Sequence, residues 1–71
     1  MSLRIDNVFI RYRGTSYEIP FDKLDIGEDL RAEHIKRIVE QYLDLNPGSL
    51  DYYVVDIHTH AIVVRPEAKF G

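Results

Sequence analysis

Apolar and polar side chains alternate with a period of two from residue 8 onward. Val8, Ile10 and Tyr12 fall on one side and Phe9, Arg11 and Arg13 on the other, and Tyr17, Ile19 and Phe21 resume the first side. This is the pattern of two strands that share one buried face. Between them stands Arg13-Gly14-Thr15-Ser16. Gly takes positive φ without a side-chain clash, so placing Gly14 and Thr15 at the loop positions predicts a type II′ turn. That register sets Tyr12 opposite Tyr17, Ile10 opposite Ile19 and Val8 opposite Phe21, with Arg11 opposite Glu18 on the other face. Pro20 has no amide proton to give to a ladder, so the second strand is predicted to be an edge strand or to stop there.

The period then changes. Ile35, Ile38, Val39, Tyr42 and Leu43 recur at the spacing of one helix face. Asp25 and Glu28 have the spacing of a capping box, which puts the helix start near Ile26, and Asn46-Pro47-Gly48 is expected to end it. Glu33 and Arg37 stand one turn apart as an expected ion pair. Leu24 and Ile26 are predicted to tuck beneath the helix. Beyond it, Tyr53, Val55 and Ile57 alternate with Tyr52, Val54 and Asp56, and Ile62 and Val64 alternate with Val63 and Arg65. A single strand over residues 52–65 would run about 45 Å at ~3.3 Å per residue, too long for so small a domain. A turn is therefore predicted at His58-Thr59-His60, which returns Ile62 and Val64 to the face of Val55 and Ile57.

The predicted order is β-β-α-β-β in one domain spanning 1–71, with 1–7 and 67–71 as loose ends. The fold class is α+β, a two-layer domain with one helix packed on a four-stranded mixed sheet. A right-handed crossover through the helix favours a last strand lying parallel to the first, between the two hairpins. This element order resembles the β-grasp, the ubiquitin-like architecture shared with the sulfur carriers of molybdopterin and thiamine synthesis. The resemblance implies a topology and no activity. Those carriers end in Gly-Gly, whereas this sequence ends Lys69-Phe70-Gly71, so carrier chemistry is not expected.

Composition narrows the function classes. Nine Lys plus Arg against twelve Asp plus Glu give a net charge of −3, with no basic excess to hold phosphate or anionic lipid. The chain has no Cys, which excludes disulfides and thiolate metal sites. The first residues, Met1-Ser2-Leu3-Arg4-Ile5-Asp6, lack an apolar signal region, and no apolar run approaches the length of a membrane span. The expected location is cytoplasmic, with no membrane partner and no cofactor. The isolated glycines form no phosphate-binding loop, and the serines fall at the terminus and in turns, so no catalytic residue is assigned and an enzyme is not expected.

Two constellations remain. Asp56-Ile57-His58-Thr59-His60 resembles the first-strand metal motif of amidohydrolase and PHP-type hydrolases, in which two His one residue apart reach one Zn²⁺. Those enzymes need a barrel far longer than this chain, which leaves only a smaller possibility, a metal held by Asp56, His58 and His60. A turn at the two His would break their common face.

The other constellation is the sheet face turned away from the helix, expected to carry Phe9, Arg11, Arg13, Tyr52, Val54, Val63 and Arg65. A two-layer domain should keep that face mainly polar. Aromatic, aliphatic and Arg side chains together are the composition of interface cores. The function expected is a non-enzymatic protein–protein interaction module or small homodimer. A single-stranded nucleic-acid binder, with Phe9 and Tyr52 stacking bases and the Arg side chains meeting phosphates, is the disfavoured alternative on the same face.

Overall fold

A computed structural model describes residues 4–67 of the chain. Four strands, β1 (Asn7–Tyr12), β2 (Thr15–Pro20), β3 (Tyr53–Ile57) and β4 (Ala61–Pro66), form one sheet in the order β2-β1-β4-β3, and a single helix, α1 (Ala32–Tyr42), lies between β2 and β3 in the chain. The two hairpins are antiparallel and meet at β1 and β4, which run parallel at the centre. The result is the expected α+β layer pair of one helix on a four-stranded mixed sheet.

Val8, Ile10, Ile19, Ile62 and Val64 on one face of the sheet are buried with Ile35 and Val39 of α1. Leu24, Ile26 and Leu50 close the core from the two long connections. Burying apolar area of this kind is the main stabilising contribution in so small a domain. Among the described residues, no helix is long and apolar enough to cross a membrane.

The first hairpin departs from the predicted register. Tyr12 pairs with Thr15, Ile10 with Tyr17, Val8 with Ile19 and Phe9 with Glu18. The loop is Arg13-Gly14, with φ of 52° and 81°. Positive φ at both positions is a type I′ turn, whose twist suits the flanking strands, so Gly14 serves the second loop position and not the first. The shift moves each pairing by an even number of residues, so every side chain keeps its face while Arg11 comes to lie opposite Ser16 instead of Glu18.

Helix α1 is shorter than expected at both ends. Gly27 has φ of 66°, which breaks any helix begun at Ile26. The chain enters α1 at Arg31 without a side-chain cap, and Asp29 is spent on Arg31 instead, accepting from its Nε at 2.9 Å and its Nη2 at 2.8 Å. At the other end Asp44 adopts φ of 58°. The Leu45 amide donates to the Glu40 carbonyl at 2.8 Å and the Asp44 amide to the Gln41 carbonyl at 3.2 Å. These two bonds are a Schellman motif, and it stops the helix before Pro47 is reached.

The expected loose end at 1–7 is anchored where it is described. Asn7 opens β1, and the Asp6 amide donates to the His60 carbonyl at 2.9 Å. Residues 1–3 and 68–71 lie outside the described residues, as does the Lys69-Phe70-Gly71 ending.

Candidate interaction surface

Alternation along the strands turns Phe9 and Arg11 of β1, Glu18 of β2, Val54 and Asp56 of β3, and Val63 and Arg65 of β4 away from α1. Across the sheet Phe9 stands between Glu18 and Val63, and Val63 stands between Phe9 and Asp56. In the neighbouring row Arg11 pairs with Ser16 and Arg65 with Val54. Phe9 and Val63 are thus neighbours on the two central strands, and Val54 joins them along a diagonal. Phe9 is 39% exposed, while Val54 and Val63 are half-buried by the side chains around them.

Charge on this face is arranged around the apolar centre. Arg65 Nε donates to Asp56 Oδ2 at 2.7 Å, so one of the Arg side chains expected to face a ligand already has a carboxylate partner. Arg11 is exposed. Arg13 is not on the face: it sits in the hairpin turn, with its guanidinium carbon 5.9 Å from the centroid of the Tyr12 ring on the helix side. That ring in turn packs 5.8 Å from Tyr53. Tyr52 lies just ahead of β3 and is 78% exposed.

The other candidate segment is divided by its own turn. β3 ends at Ile57 and β4 begins at Ala61, with the His58 amide donating to the Ala61 carbonyl at 2.8 Å. His60 Nδ1–H donates to the Arg4 carbonyl at 3.2 Å, and Asp56 is held by Arg65. Among the described residues no group of three or more His, Asp or Glu side chains is placed to hold a metal ion.

One buried polar group has no sequence signal. Glu40 is 2% exposed. It accepts from Arg37 Nη1 at 2.8 and 2.9 Å, from the Leu50 amide at 2.9 Å and from the Gly48 amide at 3.1 Å. Burial alone would raise its carboxyl, but the Leu50 amide, the Arg37 guanidinium and the Gly48 amide outweigh burial and hold it below the usual range. Arg37 also donates to Asp51 Oδ1 at 2.6 Å. Its ion-pair partners are therefore Glu40 and Asp51, in place of the expected Glu33. An open hollow of about 490 Å³ beside Arg31, Glu33, His34 and Arg37 contains no unpaired guanidinium, because Asp29, Glu40 and Asp51 hold both Arg side chains. The Arg31 side chain and amide hold the Asp29 carboxyl at about 2. His34, on the same first turn, donates from Nε2 to the Ile26 carbonyl at 3.0 Å, which ties the connection to the helix.

Among the described residues, the arrangement on the sheet face opposite α1 is an apolar centre with a charged border. No protein-family model, curated protein or solved structure matches the chain.

Proposed function

We propose that the chain is a non-enzymatic interaction module that docks another protein on the sheet face opposite α1. The observation that carries this reading is the adjacency of Phe9 and Val63 on the two central strands, with Glu18 and the Asp56–Arg65 pair to either side. An aromatic at the middle of an open face, bordered by charge, has the layout of a contact core and rim. The ion pair at Arg65 and the carboxylate at Glu18 make the same face a poor track for phosphates.

The test is affinity capture with the parent chain and with Phe9→Lys, Val63→Lys and Thr15→Lys variants, followed by measurement of binding to the purified captured protein. A partner retained by Thr15→Lys and lost by both face variants supports the reading, and its affinity should change little with added salt. A partner bound equally by all four chains refutes it. Binding that collapses with salt would point to a phosphate-bearing ligand instead.

A further inference from the structure

The two edges of the sheet are built differently. The Phe21 amide donates to the Asp6 carbonyl at 2.9 Å, and in an antiparallel ladder hydrogen-bonded pairs recur at every second position. Thr15, Tyr17 and Ile19 therefore turn their backbone groups toward β1, and the outward groups of β2 are those of Ser16 and Glu18, followed by Pro20. A carboxylate and a proline are devices that keep an edge from recruiting another strand.

β3 carries neither device on its outward groups. The His58 amide bonds the Ala61 carbonyl, so Val54 and Asp56 are the residues of β3 bonded inward to β4. Val55 and Ile57 point their N–H and C=O groups away from the sheet. Tyr53 points outward as well, but the Leu50 carbonyl already takes its amide at 3.0 Å. Among the described residues the Val55 and Ile57 amides have no acceptor. The strand reads Tyr-Val-Val-Asp-Ile, which is aromatic or β-branched at every position except Asp56, whose charge Arg65 offsets.

We propose that β3 pairs edge to edge, antiparallel, with β3 of a second copy of this chain, making one continuous sheet through the dimer. The occupant follows from the strand's own symmetry. A twofold axis through Val55, the middle of the 5-residue strand, overlaps its whole length. Val55 meets Val55 of the second copy, Tyr53 meets Ile57, and Val54 meets Asp56. The residues brought into hydrogen-bonding pairs are those whose groups face outward. The Val55 pair exchanges two bonds, and each Ile57 amide reaches the opposite Tyr53 carbonyl. Moving the axis to Asp56 keeps a valid ladder but sets two carboxylates directly opposite, which is unfavourable. This pairing is independent of the face around Phe9, and it leaves that face open on both copies.

Sedimentation equilibrium of the full chain over a concentration series, with amide hydrogen exchange read by NMR in the same samples, tests the proposal. The mass should rise from 8.3 kDa toward twice that value. Exchange at Val55 and Ile57 should slow roughly tenfold or more over the series, while Ser16 and Glu18 on the other edge stay fast. Ile57→Pro removes an outward N–H without touching the β3–β4 ladder and should remain at the monomer mass. Should Ile57→Pro fail to fold, the exchange data on the parent chain decide. A monomer mass throughout, or a dimer in which Val55 and Ile57 stay fast, overturns the proposal. Phe9→Lys should leave the protection of both amides unchanged. A dimer lost with Phe9→Lys and kept by Ile57→Pro would overturn the edge pairing and leave the face reading standing.

Discussion

The carboxylate of Glu40 and the backbone amide of Leu50 lie 2.9 Å apart although 10 residues separate them in the chain. Together with the bond from Gly48, this contact fastens the return segment after α1 to the helix itself, and it lets Leu50 enter the core fully buried. Glu40→Ala leaves two amides and Arg37 Nη1 without their acceptor, while Nη2 keeps Asp51, and should cost about 2–3 kcal/mol in urea denaturation. A loss below about 0.5 kcal/mol, the scale of an ordinary surface change, would show that the bonds contribute little.

The same group predicts a pH dependence. Its folded value lies below the ordinary carboxyl value of 4.5, so the stabilisation is fully present above 4.5 and declines as pH falls through the lower folded value. Thermal midpoints measured from neutral to acid pH should fall more steeply below 4.5 for the parent chain than for Glu40→Gln. Parallel curves would place the acid sensitivity elsewhere.

At the end of α1, Asp44 occupies the left-handed position of the Schellman motif with φ of 58°. Gly fits that conformation without strain, and replacing Asp also removes a negative charge from the negative end of the helix dipole. Asp44→Gly should therefore stabilise the fold by about 0.5–1 kcal/mol, read as a raised denaturation midpoint with unchanged slope. A lowered midpoint would contradict this account of the helix stop.

Gly14 holds φ of 81° in the first hairpin, and a Cβ placed there would meet nothing within 4 Å. The cost of Gly14→Ala is thus purely one of backbone conformation, about 1 kcal/mol. Equal stability of parent and variant in the same denaturation assay would rule out the type I′ turn.

Strand faces were legible in the sequence because their period of two survives an error in register: Val8, Ile10 and Ile19 point inward in either pairing of the first hairpin. The turn was less legible, since Arg13 gives no hint that it takes positive φ, and only the twist of the strands selects that arrangement. The helix start misled because Asp25 and Glu28 have capping spacing while Gly27 between them leaves helical φ. Glu40 was not legible at all, because its burial depends on a segment that folds over it from further along the chain. On the candidate face, Phe9, Arg11, Val54, Val63 and Arg65 came together as alternation required. Arg13 did not, because it belongs to the turn.

The parallel pairing of β1 with β4 joins the earliest strand to the latest. During synthesis β1 can close its hairpin with β2 within a few residues, yet its other flank stays bare until β4 has cleared the ribosome. A nascent chain stalled before Ala61 therefore displays the backbone of β1 to any passing strand, and the hazard of misassembly ends only with the final few residues of the sheet.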